Sequence, residues 1–374
     1  MRTLLYFFLL FFAKETLAQF PIINPEITEQ VKKNLRKGID TSQHGELTLA
    51  SFNIRNLGNT QRSLKDFETI VGLIDEADIV LFQEVGLGLF GKKGDDIHDL
   101  KRLEAIKGIF QAYLGSNWKV MLANQASGTG SARESVMLAH RVQCKGFRIT
   151  STEWLEYVDI SIERDMALFR ITIDSTYSLY LGSVHLTPKD PMRGAQMQNI
   201  ANWMLENQER PVVVMGDFNW GYQRSSGVEN YVGENYLRSL HQSGKIFQPF
   251  YHLSYLGKAK EGQLRTNMGF RKGGYFYDQF LTSPAIASEM AEGGIFLEDC
   301  GIYAYDLNMD MKKRTRYWEK RHLKGLEKYI KTAKLPKDEL YKKILESIHR
   351  QSEDFSTYIL SDHRVIWMQI QLFE

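Results

Sequence analysis

Cysteine is scarce in this chain of 374 residues: only Cys144 and Cys300 occur. Two cysteines are too few for a zinc-ribbon type of site, which leaves oxygen as the expected donor for any metal. Excess charge of one sign is also missing, because a formal net charge of +2 is too mild to signal a nucleic-acid partner by itself. No internal repeat, low-complexity tract, Walker or Rossmann phosphate loop, or GxSxG elbow interrupts the sequence. Gly86, Gly88, Gly91 and Gly94 cluster after a strand without opening a nucleotide-binding helix, and read as a flexible loop. Nucleotide-fold dehydrogenases, P-loop enzymes and serine hydrolases are set aside on these grounds.

Long apolar runs are absent except at the beginning. Met1 and Arg2 precede an apolar stretch from Leu4 to Ala13, and Thr16 and Ala18 supply small residues before Gln19. This pattern predicts a signal peptide over 1–18, and hence an exported protein, secreted or periplasmic. The run is shorter than the ~20 residues that span a bilayer. In an exported chain two cysteines permit a disulfide, which the sequence does not decide. Residues 19–45, with Pro21, Pro25, Gly38 and Gly45, read as a leader segment before a domain over 46–374.

What is present is a large core and a rhythm of elements. The composition is 43% hydrophobic and 12% aromatic, ample for one large packed domain. Strands are predicted at 47–54, 78–85, 119–122, 135–140, 166–173, 177–184 and 211–215. Helices are predicted at 64–74, 97–114 and 192–206. Helices alternate with hairpin-like strand pairs, which predicts an α/β fold of mixed sheets covered by helices. A basic helical insertion is predicted at about 303–357. Lys312, Lys313, Arg314, Arg316 and further lysines interleave there with Tyr317, Trp318, Tyr329 and Tyr341. Such a segment is either a solvated face or an arm that holds phosphates.

The strongest signal is a series of polar residues delivered by strand-like runs: Asn53 in SFNIR, Glu84 in LFQEV, His185 in SVHLTP, Asp217 and Asn219 in GDFN, Asp278 in YDQF, and Asp362-His363 in SDHRV. Phosphodiester hydrolysis needs a water made more basic, a proton for the leaving oxygen, and positive charge against the phosphate. Glu84 with Asn53 offers hard oxygen ligands for Mg2+, Mn2+ or Ca2+. His185 and His363 are the candidate acid and base. Glu134 and Asp278 are carboxylates available to fix the tautomers and raise the pKa values of these histidines. Asp217 can orient water or bind metal, and Asn219 can bond a phosphate oxygen.

In this order the motifs FNIR, QEV, VHLTPKD, GDFN, YDQF and SDH resemble the endonuclease/exonuclease/phosphatase superfamily, and within it the deoxyribonuclease I group. The resemblance spans about 47–372. It implies a four-layer α/β sandwich of two mixed β-sheets flanked by helices, and a divalent-metal-dependent phosphodiesterase or phosphatase with nucleic acid, DNA foremost, as its partner. It further implies that Glu84, Asn53 and Asp362 serve the metal, and that Glu134 pairs with His185 and Asp278 with His363. Asp217 falls among the catalytic and metal-site positions, while Asn219, Arg55 and Arg164 contact substrate phosphate. Gly86 and Ala132 stand where the deoxyribonuclease I group places groove-reading Arg and Tyr, and its disulfide positions are not cysteine here. These departures imply retained chemistry with an altered grip on substrate. A lipid or small-molecule phosphodiesterase or phosphatase of the same superfamily is the alternative, and a non-catalytic binding module a further one.

Overall fold

The computed structural model describes residues 46–57, 67–86, 103–104, 107–108, 110–128, 133–160, 163–175, 177–189, 191–220, 232–250, 277–287, 295–303 and 363–372. The predicted signal peptide, the leader, most of the basic insertion, Asp362 and Ala132 lie outside the described residues.

Eleven described strands form two sheets. The first is six-stranded, in the order β10-β11-β1-β2-β4-β3, from β1 (Glu46–Leu57), β2 (Ile79–Val85), β3 (Trp118–Leu122), β4 (Ser135–Arg141), β10 (Ile295–Tyr303) and β11 (Val365–Leu372). The second runs β5-β6-β7-β8-β9, from β5 (Ile149–Val158), β6 (Met166–Ile173), β7 (Tyr177–His185), β8 (Val212–Asp217) and β9 (Asp278–Thr282). Each sheet is mixed, with β1/β2 and β7/β8 parallel and the remaining pairs antiparallel.

The layering follows from side-chain alternation. On β1 and β2, Leu47, Leu49, Ile79 and Leu81 pack in one cluster with Phe169, Ile171, Leu181, Val213 and Met215 of the other sheet, forming the central core. Their neighbours Ala50, Phe52, Val80 and Phe82 point the other way, onto Ile70, Leu73 and Ile74 of helix α1 (Phe67–Ile74). The second sheet repeats this on its outer face. Val184, Val212 and Val214 pack with Met197, Ile200 and Met204 of α2 (Met192–Glu206) and with Leu237 and Leu240 of α3 (Val232–Gln242). Because both faces of β1, β2 and β8 are covered, their apolar runs are nearly continuous. The result is a four-layer α/β/β/α sandwich of two mixed sheets.

A polar bridge crosses the central layer. Gln83 Nε2 donates to Ser183 Oγ at 2.9 Å and its Oε1 accepts from Ser51 Oγ at 3.3 Å, tying β2 to β7 just below the residues of interest. Gly216 marks another close approach: it has φ +144°, and a Cβ there would stand 2.0 Å from the Val184 carbonyl oxygen. Among the described residues no helix is long and apolar enough to cross a membrane. Cys144 and Cys300 are both buried and are not joined to each other, so the disulfide left open by the sequence is not formed here.

Among the described elements that the sequence reading does not assign are three longer ones. Strand β5 (Ile149–Val158) escapes it because this edge strand pairs on one side and carries exposed polar residues without clean alternation. Strand β10 escapes because Glu298 and Asp299 break its apolar run, where the pairing register with β11 shifts between Leu297 and Asp299. Helix α3 escapes because only Leu237 and Leu240 carry its apolar face in this short segment.

Candidate active site

Register alone gathers half of the site. In the parallel β7/β8 pair His185 lies opposite Asp217, and in the antiparallel β8/β9 pair Asp217 lies opposite Asp278. Parallel strands β7 and β8 end at this edge while antiparallel β9 begins there, so one row presents an imidazole and two carboxylates. The first sheet supplies the other half from β1 and β2, with Asn53 and Glu84. His363 precedes β11 and joins from the chain entering that strand.

The two histidines have matching arrangements. His185 Nδ1 lies 2.9 Å from both oxygens of Glu134, and its Nε2 lies 3.6 Å from Asp217 Oδ2 and 4.0 Å from Glu84 Oε1. His363 Nδ1 lies 2.8 Å from Asp278 Oδ2, and its Nε2 also lies 3.6 Å from Asp217 Oδ2. A carboxylate on each Nδ1 fixes that nitrogen as the N–H donor and turns Nε2 toward the cleft. Asp217 therefore stands between two oriented Nε2 atoms. Its Oδ1 accepts the Asn219 backbone N–H at 2.8 Å, and its Oδ2 accepts from Asn53 Nδ2 at 3.1 Å.

Local backbone strain aims several of these groups. Glu84 has φ +60°, Arg55 φ +48° and Asn219 φ +46°, conformations that cost a non-glycine residue free energy. Glu84 falls within a register shift of the β2/β4 pairing between Phe82 and Val85, a bulge that redirects its side chain. Asn219 donates its side-chain amide to the Leu186 carbonyl at 2.7 Å, joining the GDFN turn to the residue after His185.

Electrostatics follow from this burial. For Glu134, burial opposes the charge, but His185, then Arg164 and the Glu84 backbone N–H outweigh it and hold the carboxyl below its usual range. For His185, burial and the Arg164 charge push downward, yet the Glu134 carboxylate, with Asp217, lifts the imidazole above the ordinary histidine value. Burial raises Asp217, reinforced by Asp278 and opposed by the two imidazoles. Stability from the Glu134–His185 pair is lost as pH falls through the depressed Glu134 pKa and as pH rises through the elevated His185 pKa. It is complete between about pH 4.3 and 6.5, the unfolded-state values. Glu134→Gln removes the group that lifts His185, leaving burial and Arg164 to depress it. The limb of the pH–rate profile that belongs to His185 is expected at lower pH in the variant. A profile unmoved in position would contradict the pairing.

The other predicted residues take distinct places. Arg164 lies behind the first histidine, its Nε 3.9 Å from Glu134 Oε2 and its Nη1 donating to the His185 carbonyl at 3.3 Å. Arg55 is half-buried two residues beyond Asn53, with its backbone N–H donating to Asn53 Oδ1 at 3.0 Å. Asn53 therefore turns its amide nitrogen toward Glu84 and Asp217, at 3.1 Å from each, and steadies both carboxylates. Among the described residues no group of three or more His, Cys, Asp or Glu has metal-holding spacing. Mg2+ keeps several waters and commonly takes one or two carboxylates. Glu84, a hard oxygen donor turned into the cleft by its bulge, fits such an ion, with Asn53 beside it.

Three buried residues in the supporting layer were not singled out by the sequence: Gln83, Arg193 and Gln196. Their signal is polarity inside an apolar pattern. Gln83 interrupts the strand IVLF, and Arg193 and Gln196 occupy the stripe that continues as Met197, Ile200 and Met204.

No protein-family model and no curated protein matches the chain. Solved structures do. An endonuclease/exonuclease/phosphatase family protein from Leptotrichia buccalis is similar at 14% identity and a TM-score of 0.48, covering 87% of this chain and 100% of that one. The catalytic domain of human Nocturnin, with a bound sulfate anion, is similar at 13% identity and a TM-score of 0.45, covering 88% and 96%. TDP2 of D. rerio, complexed with a single-strand DNA product, is similar at 12% identity and 0.46, covering 87% and 98%. At 12–14% identity these likenesses concern the fold alone.

Proposed function

We propose that this chain is an exported, divalent-metal-dependent phosphodiesterase that acts as a DNA endonuclease with little sequence preference. The observation that carries the reading is the symmetric pair of carboxylate-backed histidines, His185 and His363, facing Asp217 at 3.6 Å each. Two imidazoles of fixed tautomer on opposite sides of one cleft suit in-line displacement at phosphorus, where one side takes a proton and the other gives one. The order of the motifs along the chain supports DNA as the substrate class, and the apolar run from Leu4 to Ala13 supports export.

In this mechanism one imidazole Nε2 takes a proton from the attacking water while the other delivers a proton to the leaving oxygen. Glu134 and Asp278 stabilise whichever imidazolium forms. Asp217 holds the water in line through Oδ2 and is itself kept in place by Asn53 and the Asn219 backbone. Glu84 would hold a divalent ion whose charge neutralises the phosphate oxygens, whereas Asn53, predicted as a ligand, turns its amide nitrogen to Glu84 and Asp217 and steadies these carboxylates instead. The uncharged Gly86 at the cleft rim leaves affinity to backbone phosphate contacts rather than to base edges.

The test is a substrate panel for the folded protein with Mg2+: supercoiled plasmid, single-stranded RNA, sphingomyelin vesicles and a small phosphodiester. Plasmid nicking that exceeds hydrolysis of the others and disappears with a chelator is the expected result. Cleavage of the lipid or of the small phosphodiester alone would replace the nuclease reading with the other hydrolase class.

A further inference from the structure

The N-terminal end of α2 places two buried polar side chains, Arg193 and Gln196, behind the cleft. Arg193 is 1% exposed and Gln196 fully buried. Arg193 Nη1 donates to the Asn219 carbonyl at 3.0 Å, and Nη2 lies 3.5 Å from Glu234 Oε1 in the first turn of α3. Gln196 Oε1 accepts the Thr187 backbone N–H at 2.9 Å, and its Nε2 donates to the Arg164 carbonyl at 3.2 Å. One helical turn thus grips three separate loops: the one after His185, the one carrying Arg164, and the GDFN turn.

A buried Arg–Glu pair is a poor way to gain stability, because desolvating both ions cancels much of their attraction. The local architecture nonetheless makes room for it. Next to the pair, Gly194 and Gly233 let α2 and α3 touch backbone to backbone; a Cβ on Gly233 would stand 2.6 Å from the Gly194 carbonyl oxygen. What this contact secures is the Asn219 carbonyl. Asn219 has φ +46°, and in that conformation its N–H meets Asp217 Oδ1 at 2.8 Å while its side-chain amide meets the Leu186 carbonyl. The planar guanidinium spans Asn219 and Glu234 together, which a lysine ammonium cannot do with the same geometry.

We propose that Arg193, anchored by Glu234, is a positioning residue that locks the Asn219 backbone in its left-handed conformation and thereby aims Asp217 between the two histidines. This inference rests on the phosphodiesterase reading above for its kinetic consequences, but not for its geometry.

Arg193→Lys keeps the charge and the helix contact while losing the two-point span. With plasmid as substrate its kcat is expected to fall about ten- to a hundredfold with KM within about twofold, the penalty of a misplaced catalytic group. On an Asp217→Asn background the same change is expected to cost nothing further, because the two residues act along one path. Glu234→Gln, which leaves the guanidinium in place, is expected to show a smaller fall in kcat and serves if the lysine variant does not fold. Wild-type kcat in both folded variants, or additive losses in the double variant, would overturn the positioning role. If the wild type cuts no phosphodiester, the function proposed above fails, and the crystal structure of Arg193→Lys decides this point alone. Asn219 leaving positive φ supports the lock; an unchanged Asn219 removes it.

Discussion

Asp217→Asn is expected to lower phosphodiester cleavage about a thousandfold or more in a protein that still folds. The side chain is the one that both imidazoles, His185 and His363, face at 3.6 Å each, and its two oxygens are tied to Asn219 and Asn53. An amide of the same shape cannot offer negative charge to a water or an imidazolium in a buried cleft, where such charge is worth most. The same substitution has a signature in stability. Burial raises the Asp217 pKa, with Asp278 adding to the rise against the opposing histidines. A raised pKa means that the protonated carboxyl favours the folded state, so wild-type stability declines as pH rises through the folded-state value. The substituted amide does not titrate, and this component of the decline is expected to vanish from Tm measured against pH. Retention of even a tenth of wild-type activity would remove Asp217 from the chemistry.

Gly216→Ala carries the largest expected structural effect. The position combines φ +144° with a backbone wall: the added Cβ would lie 2.0 Å from the Val184 carbonyl oxygen and 3.0 Å from its carbonyl carbon. The obstructing atoms are main chain in the parallel β7/β8 ladder, so relief requires breaking the register that sets His185 opposite Asp217. A cost of at least about 4 kcal/mol follows from this kind of clash, a large part of the stability of an ordinary domain. The expected outcome is insoluble expression, or a Tm lower by about 6 °C or more in a circular-dichroism melt. A melt within a few degrees of wild type would show that the close approach is not as tight as described.

The fold was legible wherever pattern is local. Covered parallel strands read as apolar runs, and the alternation of Leu47, Leu49 against Ala50, Phe52 already divides β1 between two packing layers. The ends of those runs also display Asn53, Glu84, His185 and Asp217, which the structure gathers in one cleft. Legibility failed where neighbours in space decide. Edge strand β5 is half-exposed and lacks alternation, and β10 is interrupted by an acidic pair at a bulge. Arg193 and Gln196 are ordinary helix residues in sequence, and only the packing of α2 under three loops gives their polar atoms partners. Arg164 shows the same limit: the resemblance implies phosphate contact, whereas its place beside Glu134 depends on how two hairpins meet. Strain at Glu84 and Asn219 is likewise a property of bulges and turns that no local preference for those residues encodes.

The His185 and His363 pair is proposed to hydrolyse phosphodiesters with a divalent ion at Glu84. The most direct test is the nicking of supercoiled plasmid by wild type and by His185→Ala, side by side in Mg2+ at neutral pH. Nicking by the wild type is expected, falling by about a thousandfold in the variant, the scale of a lost general acid or base, while the two proteins melt alike. Equal nicking by both, or none by folded wild-type protein in Mg2+, Mn2+ or Ca2+, would contradict the proposal.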